Sequence, residues 1–215
     1  MYLRSMAKLI LVRHGKSEWN KLGKWTGWTD VGLIEEGFAE ARRAGEAIKD
    51  FHIDTVHMSD LKRTHETWRE IQNVIGRDDL VAKAHPALKE KSYGVFTGKN
   101  KWEVQKEVGE EEFMRIRRGW DHPIPGGETM KEVHDRAVPY YEKHILPELK
   151  AGKNVLIVGH GNTLRAMVRY FEKLDDQSVS DLEFGLGEVY IYEVDSAGNV
   201  IGKEIRAGNP EKGKV

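Results

Sequence analysis

Two apolar runs in this chain end in the same way. Leu9-Ile10-Leu11-Val12-Arg13 runs into His14-Gly15, and Val155-Leu156-Ile157-Val158-Gly159 runs into His160-Gly161-Asn162. An unbroken run of branched aliphatics reads as a strand buried on both faces, as in the centre of a parallel sheet. Ligands of open α/β sheets bind just past the carboxyl ends of such strands. The two imidazoles, one with an arginine beside it, are therefore expected to converge on one crevice suited to a phosphoryl group.

Helical and strand patterns alternate around these runs. Lys16 to Gly32, rich in Gly, Trp, Asn and Thr, reads as a functional loop. Phe38, Ala41, Ala44 or Gly45, and Ile48 keep helical spacing, although Ile34 offers no capping side chain. Ile53 to Met58 is a short strand, and Leu61, Thr64, Trp68, Ile71 and Ile75 mark one face of a second helix. Leu80 to Leu88 is expected to hold a third strand. Glu90 to Gly127 is charged and poorly periodic, and reads as a long functional excursion with short helices. Met130, Val133, Ala137 and Tyr141 outline a helix to Ile145 that Pro139 should kink or split. Leu164, Met167, Val168 and Phe171 give the helix after the second histidine. Glu188 to Val194, with Gly198-Asn199 as the turn, reads as a hairpin at the sheet edge. The alternation predicts a three-layer α/β architecture with a mostly parallel sheet flanked by helices. Strand order is not legible.

With 215 residues the chain fits one domain, 1–215. Met1 to Ser5 reads as a short extension before a second candidate start at Met6, and 206–215 as a polar, mobile tail. A formal net charge of −1 argues against bulk attraction to nucleic acid or an anionic membrane, so anion binding must come from a local cluster. No cysteine is present, which excludes thiolate chemistry and suits a cytoplasmic protein. No apolar stretch is long enough for a membrane span.

Neutral His14 is a competent nucleophile toward phosphorus, and Arg13 both lowers its pKa and grips phosphate oxygens. The bland alternative is a hydrogen-bonded structural histidine. His160 reads as a cationic donor to the charge on the transferring group. No carboxylate or close second histidine accompanies either one, so no metal is expected. Arg63 opens a helix after a strand, where an anion is favoured; a solvated surface arginine is the alternative. Glu90 is one carboxylate among 35 acidic residues, and nothing local proves acid chemistry. Arg115 and Arg117-Arg118 form either an ordinary basic helix face or, with Lys101, a second anion site.

Leu11-Val12-Arg13-His14-Gly15-Lys16-Ser17-Glu18-Trp19-Asn20 resembles the signature of the histidine phosphatase superfamily, and within it of the cofactor-dependent phosphoglycerate mutases. Trp25-Thr26-Gly27-Trp28-Thr29-Asp30-Val31, Leu61-Lys62-Arg63-Thr64, Glu90 to Lys101, Arg117-Arg118-Gly119 and Gly159-His160-Gly161-Asn162-Thr163-Leu164-Arg165 resemble it in the same order. The resemblance runs from about Leu9 to Asp195. It implies a phosphoglycerate mutase-like fold in which His14 becomes phosphohistidine. Arg13, Arg63, Asn20, His160 and the Gly161 backbone would surround the phosphoryl group, with Glu90 as acid and base. Ser17, Thr26, Gly27, Tyr93, Lys101, Arg117, Arg118 and Asn162 would contact the substrate's phosphate and carboxylate. It further implies 2,3-bisphosphoglycerate as priming donor and small phosphoglycerates as partners; no nucleic acid or membrane partner is expected, and a homo-oligomer is left open.

Three departures stand out. Lys91 replaces an arginine, keeping the charge without the planar fork. The region after Trp120 is short, and Pro125-Gly126-Gly127-Glu128-Thr129 also resembles the phosphatase branches. The tail after Gly208-Asn209-Pro210-Glu211 is brief, which predicts more hydrolytic leakage from the phosphoenzyme. The rival expectations are a histidine phosphatase acting on a small phosphate ester and a non-catalytic phosphate-sensing module. Lys101 and Arg117-Arg118 favour the mutase over the first, and the intact His14, Arg13, Arg63, Glu90 and His160 over the second.

Overall fold

A computed structural model describes residues 6–212. The expected extension at Met1 to Ser5 and the last residues of the tail lie outside that range. In chain order the elements are β1 (Ala7–Arg13), α1 (Glu18–Lys21), α2 (Glu35–Ile48), β2 (Thr55–Met58), α3 (Lys62–Ile75) and β3 (Lys83–Ala84). The excursion carries α4 (Lys101–Val108) and α5 (Glu110–Arg118). Then come α6 (Met130–Tyr140), α7 (Leu146–Lys150), β4 (Val155–Gly159), α8 (Gly161–Glu172), α9 (Asp176–Asp181), β5 (Val189–Val194) and β6 (Val200–Arg206).

The strands form one sheet in the order β3-β2-β4-β1-β5-β6. The first four pair in parallel, and β5 and β6 are antiparallel additions. The two histidine strands are neighbours, buried from both sides. Leu9, Leu11, Val155 and Ile157 face a core shared with Ala137, Tyr141, Leu164 and Met167 of the helices on one face. Ile10, Val12, Leu156 and Val158 face Ala44, Ile48, Trp68 and Ile71 on the other. This alternation follows from the two-residue period of a strand, and it makes the middle layer continuous aliphatic sequence.

Register then does the positioning. Arg13 is paired with Gly159, so the next residues, His14 and His160, emerge side by side. The helix after β1, α2, packs on one face and the helix after β4, α8, on the other, which leaves a crevice between the strand ends. No helix among the described residues is long and apolar enough to cross a membrane.

One element differs from its sequence pattern. The third strand shrinks to Lys83–Ala84, because Pro86 opens a 3₁₀ turn and Val81 lies exposed beyond the sheet edge. The helix carrying Pro139 is split as expected: α6 ends at Tyr140, and a π turn at Tyr141–Ile145 leads into α7. As expected, Ile34 makes no side-chain cap for α2. There Gly15 and Gly37 touch backbone to backbone, and a Cβ on Gly15 would stand 2.1 Å from the Gly37 carbonyl oxygen. Only glycine permits that approach, which seats α2 directly under the His14 turn.

Candidate active site

His14 leaves β1 with its amide donating to the Gly159 carbonyl at 3.0 Å. Its Nδ1 lies 2.7 Å from the Gly15 carbonyl oxygen. A carbonyl only accepts, so the ring proton sits on Nδ1 and Nε2 keeps a free lone pair. Gly15 is itself held by its amide on Thr67 Oγ1, 3.1 Å away. Burial first, then Arg63 and Arg13, pushes the His14 pKa well below the usual imidazole value. The ring is therefore neutral, as a nucleophile must be.

His160 is fully buried at the N-terminus of α8, its ring centroid 5.1 Å from that of His14. Its Nε2 lies 2.7 Å from Ser59 Oγ, and its Nδ1 has no partner among the described residues. Here the expectation of a cationic ring fails. Burial, followed by Arg63, His14, Arg136 and Arg13, holds its pKa well below the usual value, so the ring is neutral until an anion arrives. A Ser59 hydroxyl that donates to Nε2 leaves the proton on Nδ1, the unpartnered atom.

Two arginines flank the imidazoles. Arg63, 1% exposed, donates to the carbonyls of Thr29 at 3.0 Å and Gly27 at 2.9 Å. Its pKa falls to about 10 through burial, which leaves it a cation at neutral pH. Arg13 donates to the Phe184 carbonyl at 2.6 Å. A Cβ at position 161 would meet its guanidinium carbon at 3.3 Å, so Gly161 is what lets Arg13 lie against the start of α8. The Nε hydrogens of both arginines are buried without a partner among the described residues.

Glu90 is buried against the same helix start. Its Oε1 accepts from the amides of Lys91 at 2.7 Å and Asn162 at 3.2 Å. Asn162 Nδ2 donates to Tyr93 Oη at 2.8 Å, and burial raises the Tyr93 hydroxyl to about 12. Tyr93 packs with Trp25, Phe113, Ile116 and Ile124 in a small core that fastens the charged excursion over the crevice. From that excursion Lys101 begins α4 and Arg117 and Arg118 end α5. Burial pushes Lys101 down to about 7, helped by Arg117 and Arg13. Arg118 donates to the Ser180 carbonyl at 3.1 Å and pairs with Glu183.

These groups line one cavity. Of the residues expected there, Arg13, His14, Asn20, Thr26, Gly27, Arg63, Glu90, Tyr93, Lys101, Arg117, Arg118, Gly161 and Asn162 form its wall. Two stand behind it. His160 backs His14, and Ser17 is a buried cap whose Oγ donates to Asn20 Oδ1 at 2.8 Å. Trp25, Arg165, Glu183 and Phe184 line the cavity beyond expectation. Arg165 lies one turn after Gly161, a spacing that could have revealed it; Glu183 and Phe184 sit in a loop with no such signal. The wall carries six arginines and lysines against two carboxylates. Unpaired, buried N–H groups on that wall fit a ligand with more than one anionic group. Among the described residues no cluster of His, Cys, Asp and Glu is placed to hold a metal ion.

The described part of the tail, expected to be mobile, makes polar contacts with the body of the protein. Glu40 accepts from the Lys16 amide at 2.7 Å through one oxygen and from Asn209 Nδ2 at 3.0 Å through the other. Lys212 pairs with Glu188 at 3.0 Å, and Glu211 with Lys16 at 3.4 Å. The buried carboxylates of Glu40 and Glu188 supply partners that a short polar segment can reach without an apolar anchor.

Comparison with known proteins gives consistent matches. A model of the histidine phosphatase superfamily (branch 1) matches residues 9–204. The 2,3-bisphosphoglycerate-dependent phosphoglycerate mutase of Parvibaculum lavamentivorans is 43% identical over 199 residues, covering 92% of this chain and 95% of its own. That of Bradyrhizobium diazoefficiens is 40% identical over 202 residues, covering 93% and 98%. Among solved structures, a phosphoglycerate mutase from Bacillus anthracis superposes with a TM-score of 0.74 at 23% identity, covering 92% of each chain. The α-ribazole phosphatase of Shigella flexneri gives 0.76 at 22%, covering 91% and 94%. At such identity these two show the fold alone.

Proposed function

The chain belongs to the histidine phosphatase superfamily, and from that premise we propose that it is a 2,3-bisphosphoglycerate-dependent phosphoglycerate mutase. It interconverts 3- and 2-phosphoglycerate. The observation that carries the reading is the second cluster of positive charge, Lys101, Arg117 and Arg118, in the same cavity as the neutral His14. A phosphoglycerate has a carboxylate to place as well as a phosphate, and a general phosphatase needs only the first cluster. The near-full-length mutase relatives support the same choice.

His14 Nε2 accepts the phosphoryl group, while its proton stays on Nδ1, hydrogen-bonded to the Gly15 carbonyl. Arg13, Arg63 and the Nδ1–H of His160 hold the equatorial oxygens, where charge must be met in the transition state. Glu90, oriented by two backbone amides, takes a proton from the attacking substrate hydroxyl and returns it to the leaving oxygen. Lys101, Arg117 and Arg118 orient the acceptor, so that positioning supplies much of the rate. When bound, 2,3-bisphosphoglycerate supplies the phosphoryl group that primes His14, and the excess of basic side chains suits it.

An enolase-coupled assay with 3-phosphoglycerate tests this. Strong stimulation by catalytic 2,3-bisphosphoglycerate and indifference to chelator are expected; phosphate release without isomerisation would select the phosphatase reading. Replacing His14 with Ala should remove at least ~10⁴-fold of turnover and all acid-labile phosphoenzyme, since a lost covalent carrier leaves only binding and electrostatics.

A further inference from the structure

Among the described residues the other buried arginines are held by the protein through most of the guanidinium: Arg63 donates to two carbonyls and Arg118 to the Ser180 carbonyl and Glu183, each leaving only Nε unpartnered. Arg165 is different. It is 6% exposed, it lines the cavity, and its Nε and Nη2 are buried with no hydrogen-bond partner among the described residues. A buried guanidinium edge without a protein partner is costly unless a ligand or water completes it. Nε–H and Nη2–H point the same way along one edge of the guanidinium, the fork that matches a planar carboxylate in a bidentate pair.

Its neighbours say which end of a ligand it meets. The largest charge acting on Arg165 is that of Arg118, at the end of α5, and Arg165 bears in turn on Lys91, whose Nζ donates to the Ile116 carbonyl of the same helix at 2.8 Å. Arg165 thus stands with the second basic cluster, whereas His14 feels Arg63 and Arg13. Among the described residues the phosphoryl pole has unpartnered donors of its own in Arg13 Nε and Arg63 Nε.

We propose that Arg165 is a specificity-determining residue that binds the substrate's carboxylate through the Nε–Nη2 edge. The proposal rests on the reading of the cavity as a phosphoglycerate site. It adds Arg165 to Lys101, Arg117 and Arg118 as the part of the wall that separates a phosphorylated hydroxy acid from a phosphorylated alcohol.

The test is a calorimetric titration of the wild-type protein, R165M and R165K with 3-phosphoglycerate and with glycerol 3-phosphate, which lacks the carboxylate. The wild type should prefer 3-phosphoglycerate. R165M should lose about 100-fold of affinity for it and less than about threefold for glycerol 3-phosphate, the scale of a buried charge-assisted pair. R165K, which keeps the charge without the fork, should fall between. Equal losses for both ligands would mark a structural role and overturn the proposal, as would a wild type with no preference. If R165M does not fold, R165K decides by the same criterion: selective weakening supports the proposal and equal weakening overturns it. Isomerase activity of the wild type separates the two readings. A protein that isomerises while R165M keeps the preference sinks the role of Arg165 alone. A protein that prefers the carboxylate through Arg165 but does not isomerise sinks the mutase alone.

Discussion

At the scale of single residues, the site is built by taking hydrogen-bond partners away from some atoms and giving them to others. Gly15 fixes the His14 proton on Nδ1, and Ser59 occupies His160 Nε2. What remains, His14 Nε2 and His160 Nδ1, is the pair of atoms with chemistry to do. Burial keeps both rings neutral, and it also presses Lys101 to about 7. Lys101 is therefore losing its charge near neutrality, and an anionic substrate loses a partner as pH rises. The KM for 3-phosphoglycerate should climb between about pH 6 and pH 8, and K101R, whose guanidinium stays charged, should flatten that rise. Lys91 is held at about 7 as well, by burial and then by Arg165, so K91R measured in parallel assigns the slope. A profile that K101R leaves unchanged while K91R flattens it would transfer the effect to Lys91.

At the scale of elements, two helix starts and one sheet edge carry the argument. Gly161 opens α8 beside Arg13, and the close contact of Gly15 with Gly37 docks α2 beneath the nucleophile. The sheet edge is secured by a polar cluster remote from the cavity. His57 of β2 lies 2.8 Å from Tyr140 Oη through Nδ1 and 3.0 Å from Glu148 through Nε2. Glu148 also accepts from Thr55 at 2.7 Å and from Lys83 at 2.5 Å. Burial alone would raise the Glu148 pKa, but hydrogen bonds from Lys83, His57 and Thr55 outweigh it and bring it to about 2. A carboxyl depressed in the folded state stabilises fully above its unfolded value, about 4.5. That contribution is lost as pH falls toward 2. E148Q should cost about 1–3 kcal/mol at neutral pH, because His57 and Lys83 lose a charged acceptor. Its melting temperature should also decline less steeply than the wild type's between about pH 5 and pH 3. Parallel melting curves over that range would refute the assignment.

At the scale of the whole molecule, charge is segregated. The chain carries a formal −1, yet the cavity wall has six arginines and lysines against two carboxylates. Substrate attraction is then a local field focused by a cleft, and salt screens it. The kcat/KM for 3-phosphoglycerate should fall several-fold between about 10 and 200 mM monovalent salt. Stopped-flow or steady-state kinetics would show it, and a flat profile would place binding on short-range contacts alone.

How much of this was legible in advance divides along a physical line. Sequence by itself determined the three-layer α/β architecture and the identity of the two central strands, because burial on both faces demands unbroken aliphatic runs. Local chemistry also marked Arg13, His14 and Arg63 at strand ends and a helix start, and Lys101 with Arg117 and Arg118 as a basic cluster, while most of the remaining wall was marked by the resemblance to a known family. It could not determine that the two strands are adjacent and in register, which brings His14 within 5.1 Å of His160. That depends on pairing across more than a hundred residues. Nor could it assign His160 its neutral state, Ser17 its place behind Asn20, or Arg165 its unpaired edge. Each of these follows from which groups surround a side chain once water has gone. Residue types and spacing are local properties, whereas desolvation and partner supply belong to the assembled core, and only the tertiary structure decided them.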